Sequence, residues 1–204
     1  MFTTMDDEGE ISMVAEPSPD FTYTYADYLN WKFEERLELF KGKIFKMADT
    51  TTKHQLVAGK LYLRIGSYLK KQPHMVFIAP YDVRLTFQNS KWDNEMITVL
   101  QPDLGIVCDL AKIDDKGVIG MPDFVVEILV PGDSSKEIKL KHELYQEAGV
   151  GEYWIICPSC EYIITYRLNN KGELALHKIL TDGDIVTLCA VPGLQIDIAD
   201  IFDN

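Results

Sequence analysis

No stretch of this 204-residue chain approaches the ~18 consecutive apolar residues that a membrane-spanning helix requires. Its first ten residues, MFTTMDDEGE, lack both the basic start and the apolar core of a secretion signal, so the expected location is the cytoplasm. There are only four cysteines, at 108, 157, 160 and 189, which suits a reducing compartment. Cys157 and Cys160 make a CxxC, but no second CxxC or histidine pair completes a zinc site. The pair also ends an apolar strand, whereas a thioredoxin-type pair opens a helix. Internal repeats and low-complexity tracts are absent. Basic residues are scarce, 20 Lys and Arg against 32 Asp and Glu for a net charge of −12, and no basic, aromatic-laced stripe announces a nucleic-acid partner.

That acidity is regional. Residues 1–20 hold six acids (Asp6, Asp7, Glu8, Glu10, Glu16, Asp20) and no base, and residues 192–204 hold three (Asp197, Asp200, Asp203) and no base. Without those nine acids the body from 21 to 191 is left at −3 of the −12. Near-neutrality of the body weakens a nucleic-acid reading without excluding it. The length suits one domain with a substantial core, expected over 21–204 behind an acidic, mobile leader at 1–20.

Taken in order, Phe21–Trp31 reads as a short helix with aromatics on one side. Arg36–Met47 alternates apolar and polar residues around Lys41-Gly42 and reads as a β-hairpin; alternation alone makes Glu38 an exposed strand residue. Thr52 is placed to cap a helix to about Lys71, with Leu56, Leu63 and the set Val57, Leu61, Ile65 and Tyr68 as its apolar positions. His54 in its first turn reads as a surface residue. Met75–Ala79 and Tyr81–Phe87 read as strand pieces split by Pro80, and Gln88–Glu95 as a polar loop.

The chain is organised around 101–145. Two apolar runs, Leu104–Cys108 and Phe124–Val130, each carry an acid foreign to a buried strand, Asp103 heading the first and Glu127 inside the second. A turn at Asp114-Asp115-Lys116-Gly117 makes them a hairpin whose paired residue numbers sum to about 230 or 231, which puts Asp103 opposite Glu127 or its neighbour. Opposed residues share a face with Cβ atoms ~5 Å apart. Two carboxylates that close repel unless a cation or a proton lies between them. Mg²⁺ suits such a site, since it uses one or two carboxylates and keeps several waters. The plainer alternative has both acids facing solvent on an edge hairpin. It fits poorly, because VVEILV is apolar on both parities and buries an acid on either face.

After Pro131-Gly132-Asp133-Ser134-Ser135 stops the strand, a helix is expected over Ser135–Ala148, ending at Gly149. Ile138, Leu140, Leu144 and Ala148 form its buried side, with Lys141 on the margin. Glu152–Cys157 reads as a buried strand, and Tyr162–Arg167, Leu174–Leu180 and Ile185–Leu188 as an antiparallel meander. The order is α-β-β-β-α-β, an α/β (α+β) protein with an extra N-terminal hairpin and a C-terminal β-meander.

From about Tyr25 to Cys189 this arrangement resembles the PD-(D/E)xK nuclease superfamily, and more narrowly the Uma2 family of endonucleases. The resemblance rests on RLELFKGKI (36–44), TTKHQLVAGKL (51–61), QPDLGIVCD (101–109), MPDFVVEIL (121–129) and KLKHELYQEAGVGEYWIICP (139–158) taken together. It implies a restriction-endonuclease-like fold, a mixed central sheet flanked by helices. It also implies that Asp103 and Glu127 are metal-binding catalytic carboxylates. Where the superfamily has lysine two residues after the second acid, Leu129 stands here, and Lys141 of the following helix takes that role. Taken by itself, Lys141 reads as a surface lysine pairing with a nearby acid. The resemblance further makes Glu38 a possible third metal carboxylate, leaves His54 open as an additional site residue, and departs at Val130, where the family has serine.

The expected function is a Mg²⁺- or Mn²⁺-dependent endonuclease hydrolysing DNA phosphodiesters, working as a homodimer because duplex cleavage suits two sites. Two alternatives stand beside it. One is a nuclease-fold binding or assembly module with little or no activity. The other is a hydrolase of small phosphoesters. A basic rim about the acids favours DNA, and an acidic or closed one favours an alternative.

Overall fold

The computed structural model describes residues 2–5, 11–14, 21–31, 35–85 and 93–203. Strands β1 (Phe2–Met5) and β2 (Ile11–Val14) pair antiparallel with each other. Helix α1 is a single turn, Tyr25–Tyr28, closed by a capping box in which Thr24 and Asp27 each satisfy the other's backbone N–H. It is shorter than the expected Phe21–Trp31 because Tyr23, Tyr28 and Trp31 fold round one another and do not line up along a helix.

Strands β3 (Leu37–Phe40) and β4 (Lys43–Lys46) form the expected hairpin. Its turn places Lys41 and Gly42 both at positive φ, 48° and 79°, the combination a two-residue hairpin turn demands. Helix α2 (Thr52–Leu69) is capped by Thr51, one residue earlier than expected, whose hydroxyl accepts from His54 N at 3.2 Å. It buries Val57, Ala58, Leu61, Ile65 and Leu69 and leaves Leu56 and Leu63 in solvent. At 100° per residue those two leucines lie on the far side of the helix from Leu61.

Next come β5 (Met75–Ile78), β6 (Asp82–Arg84), β7 (Val99–Leu100), β8 (Leu104–Val107), β9 (Ile113–Asp114), β10 (Gly117–Ile119) and β11 (Phe124–Ile128). They are followed by α3 (Ser135–Ala148), β12 (Glu152–Cys157), β13 (Tyr162–Leu168), β14 (Leu174–Leu180), β15 (Ile185–Thr187), β16 (Gln195–Asp197) and α4 (Ala199–Phe202). The expected strand end at Phe87 and the start of the polar loop lie outside the described residues.

Two six-stranded sheets result. The central one runs β14-β13-β12-β11-β8-β5, with β11 and β12 parallel and the other neighbours antiparallel. The second runs β4-β3-β7-β6-β10-β9. The order α2-β5-β8-β11-α3-β12 reproduces the expected α-β-β-β-α-β core, a mixed sheet flanked by helices. In the central pair Leu104 faces Val126 and Ile106 faces Phe124, the register expected. The connection is a correction. Around Asp115–Lys116, β9 and β10 close a tight hairpin of their own that belongs to the second sheet, where β10 runs parallel to β6. The C-terminal meander is corrected too. Strand β15 leaves β14 and pairs with β16, because Val186, Leu188 and Ile196 bury against the α2 side of the core, which a place at the sheet edge would forbid.

Each face of the central sheet has its own core. Phe124, Val126, Ile128, Trp154 and Ile156 meet α2 on one side. Val107, Val125, Tyr153 and Ile155 meet α3 and the inner face of the second sheet on the other. Side chains alternate along a strand, so Asp103 (in parity with Gly105 and Val107) and Glu127 (with Val125) both point to the α3 side. Among the described residues no helix is long and apolar enough to cross a membrane.

Candidate active site

Five elements converge where β8 begins and β11 ends. Asp103 heads β8 and Glu127 is the fourth residue of β11. Glu38 comes from β3 of the second sheet, Lys141 from α3 and His54 from the first turn of α2. All five are buried, at 1% (Glu38), 5% (His54), 6% (Asp103), 7% (Glu127) and 7% (Lys141) exposure. Three expectations are thereby corrected. Glu38 is not an exposed strand residue, because β3 is covered on both faces and buries all four of its side chains. His54 is not on the surface, since the first turn of α2 abuts the head of β8. Lys141 is not on the helix margin but in the centre of the buried stripe with Leu144 and Tyr145.

The geometry explains how charges survive there. Lys141 Nζ lies 3.0 Å from Glu127 Oε2 and 3.0 Å from Glu38 Oε2. Burial alone would depress its pKa, but the two glutamates outweigh burial and hold it well above the ordinary lysine value, so it stays an ammonium. Glu38 Oε1 accepts from Gln101 N at 2.8 Å. Asp103 Oδ2 accepts from Ile128 N at 2.7 Å, and His54 Nε2 meets Oδ1 at 3.0 Å. The Tyr145 hydroxyl donates to Glu127 Oε1. Burial pushes the Glu127 carboxyl up to about 8; Lys141 opposes the shift, while Asp103 and Glu38 add to it. Three carboxylates share one ammonium and one histidine, which leaves the cluster short of positive charge.

The sequence reading missed three participants. Tyr145 orients Glu127, and Gln101 supports Glu38. Tyr81 has a buried hydroxyl with no hydrogen-bond partner, its pKa raised well above normal by burial and by the charges of Glu127 and Asp103. A Cβ on Gly105 would collide with that hydroxyl, so the glycine admits the tyrosine beneath the acid pair. A glycine inside an apolar strand marks close approach, and Gly105 was the one available signal for Tyr81.

A cleft with a cavity volume of ≈ 50 Å³ opens over the cluster and is lined by His54, Asp103, Glu127, Leu129, Lys141 and Arg36 among others. A single water needs ~10–15 Å³ by the same measure, so several waters or one hydrated ion fit. Among the described residues no group of three or more His, Cys, Asp and Glu is placed to hold a metal by itself. The donor set nonetheless fits a hard cation of the Mg²⁺ kind, which takes one or two carboxylates and keeps its waters. Each carboxylate oxygen has two lone pairs, so Asp103 and Glu127 retain acceptors beyond their protein contacts. The Glu127 pKa, raised by burial and by the charges of Asp103 and Glu38, marks a place where a cation would be stabilising. The rim is mixed in charge, carrying Arg36 as well as Asp133 and Glu137.

Residues 25–199 match the Uma2 family model, described as "Putative restriction endonuclease". Among solved structures, the chain is similar to a protein from Anabaena variabilis described as a putative nuclease belonging to DUF820. The match has a TM-score of 0.70 at 18% identity and covers 88% of this chain and 97% of that one. At that identity the likeness establishes the shared fold. No curated protein matches the sequence.

Proposed function

Since the chain belongs to the Uma2 family, whose model is described as "Putative restriction endonuclease", we propose that it hydrolyses DNA phosphodiester bonds with Mg²⁺ or Mn²⁺ held by Asp103 and Glu127. The observation that carries this reading is the excess of buried carboxylates, Glu38, Asp103 and Glu127, over the single ammonium of Lys141, with Asp103 and Glu127 opening on a cleft. When bound, the metal polarises the phosphoryl group and lowers the pKa of water. The protein's own residues have separate tasks. Lys141, charged at all working pH values, offsets negative charge growing on the phosphate in the transition state. Glu38 fixes the ammonium from below, and Tyr145 and Lys141 between them fix the Glu127 carboxylate. His54 and the Ile128 N–H fix Asp103 in the same way. Glu38, which does not line the cleft as Asp103 and Glu127 do, and His54 are therefore positioning residues. Two copies acting on opposite strands would cut a duplex, and sedimentation of the protein with and without DNA tests that pairing.

One observation favours a second reading. Asp133 and Glu137 on the rim repel a polyanion, which suits a small phosphoester better than DNA. Plasmid nicking beside hydrolysis of bis(4-nitrophenyl) phosphate, in Mg²⁺ and in Mn²⁺, separates the two. The DNA reading expects nicking that disappears in Asp103→Asn, Glu127→Gln and Lys141→Met. Turnover of the small diester alone would replace it with the second reading. Activity toward neither would leave a binding module.

A further inference from the structure

Arg36 stands one residue ahead of β3 and continues its ladder, its carbonyl accepting from Met47 N at 2.9 Å. Side chains two apart on a strand share a face, so Arg36 projects to the same side as Glu38 and lines the cleft beside Asp103, Glu127 and Lys141. Its guanidinium meets the neutral Gln101 side chain, with Nε and Nη2 donating to Oε1 at 3.3 and 3.1 Å. The Gln101 amide cannot turn round, because its Nε2 donates to the Asp82 carboxylate at 3.0 Å and to the Tyr28 hydroxyl at 2.8 Å, and a carboxylate only accepts. The arginine is thus held in one orientation by a partner that leaves its charge intact.

The two fully buried cations among the described residues are matched by acids, Arg84 by Asp114 and Lys141 by two glutamates. Among the described residues, half-buried Arg36 has no carboxylate within ion-pair reach. A partly desolvated guanidinium without a counter-charge calls for an anion, and its planar fork matches phosphate oxygens. Beside the acid cleft lies a second hollow of ≈ 350 Å³, in which Arg36 is joined by Lys46 and Thr50 as well as by Glu35 and Asp49. Arg36 lines both spaces, as do Met47, Ala48 and Thr50.

We propose that Arg36, oriented by Gln101, anchors a phosphate of the nucleic-acid strand neighbouring the scissile one, with the strand leaving the acid cleft through the hollow toward Lys46. The proposal rests on the nuclease reading and deepens it. It makes the substrate a strand with consecutive phosphates and gives its direction, along the β3–β4 hairpin and away from Asp133 and Glu137. Thr50 offers a hydroxyl donor in the same hollow.

Two measurements on Arg36→Met and Arg36→Lys test the anchor, with thermal melts verifying that each variant is folded. The first titrates inorganic phosphate into metal-free protein by calorimetry. The second follows cleavage of a duplex oligonucleotide across a range of salt concentrations. Arg36→Met is expected to abolish phosphate binding, to raise KM about tenfold or more with kcat nearly constant, and to reduce the slope of log KM against log salt by about one. Arg36→Lys should keep the slope and lose part of the affinity, since the point charge survives and the fork does not. Unchanged KM and salt slope in Arg36→Met, or a fall in kcat alone, would overturn the anchor while leaving the nuclease reading in place. Phosphate binding that depends on Arg36 in a protein that cuts no DNA would support the anion site and overturn the nuclease reading.

Discussion

Two glutamates sit in neighbouring parallel strands of the central sheet, Glu127 in β11 and Glu152 in β12, both buried in apolar surroundings. They have opposite meanings. Glu152 is closed off and fully partnered. It accepts from Trp154 Nε1 at 2.9 Å and from Cys189 N at 2.7 Å, with Arg167 Nη2 at 3.4 Å. Those contacts tie the start of β12 to β13 and to the chain beyond β15, a structural task. Glu127 has a cation too, but shares it with Glu38, faces Asp103 across the sheet and opens on a cleft. Burial alone does not distinguish a functional carboxylate. An excess of acids over cations, open to a cavity, does.

The largest effect should come from removing the shared cation. Lys141→Met leaves Glu127 and Glu38 buried without an ammonium, and is expected to cost about 3–5 kcal/mol of stability and about 10²-fold or more in cleavage by the folded fraction. Urea melts and single-turnover assays measure the two. Glu152→Gln should lower stability alone, by about 2 kcal/mol through the weakened Arg167 and N–H contacts, with cleavage per folded molecule unchanged.

The pH dependence of the metal-free protein sharpens the contrast. Below the ordinary glutamate value of 4.5, Glu127 is protonated in both folded and unfolded chains. Between 4.5 and about 8 the unfolded chain has released that proton and the folded one retains it. Stability must therefore fall as pH rises through this window, by up to ~1.4 kcal/mol per pH unit. Urea midpoints from pH 5 to 8 should show the decline in wild type and in Glu152→Gln, and a flatter line in Glu127→Gln. The smallest expected effect is that of His54→Ala, which frees Asp103 Oδ1 and should weaken Mn²⁺ binding about tenfold.

Much of the contrast was legible in the sequence. The numbers of Asp103 and Glu127 sum to the register that β8 and β11 adopt, so the meeting of the two acids could be anticipated, whereas Lys141 read by itself as a surface lysine and only the family resemblance joined it to them. Ser135–Ala148 and Glu152–Cys157 also appear with the expected bounds, because capping residues and a continuous apolar run are local signals. The misses were tertiary. Alternation made Glu38 an exposed residue, since nothing local announces that a second sheet covers both faces of β3. The turn at 114–117 was recognised but assigned to the wrong pair of strands, because a tight hairpin does not reveal which sheet it joins. Glu152 opens an apolar run much as Asp103 does, and only the partners brought by Trp154, Arg167 and Cys189 separate them. Tyr81 lies far from the acids in sequence and is joined to them only through the gap that Gly105 leaves.

The central claim is that Asp103 and Glu127 together hold a divalent cation that Glu152 has no part in. Calorimetric titration of Mn²⁺ at pH 8 into wild type, Asp103→Asn, Glu127→Gln and Glu152→Gln tests it most directly. The account predicts binding in wild type and Glu152→Gln and none in the other two. Absence of binding in wild type, or binding that survives both Asp103→Asn and Glu127→Gln, would contradict it.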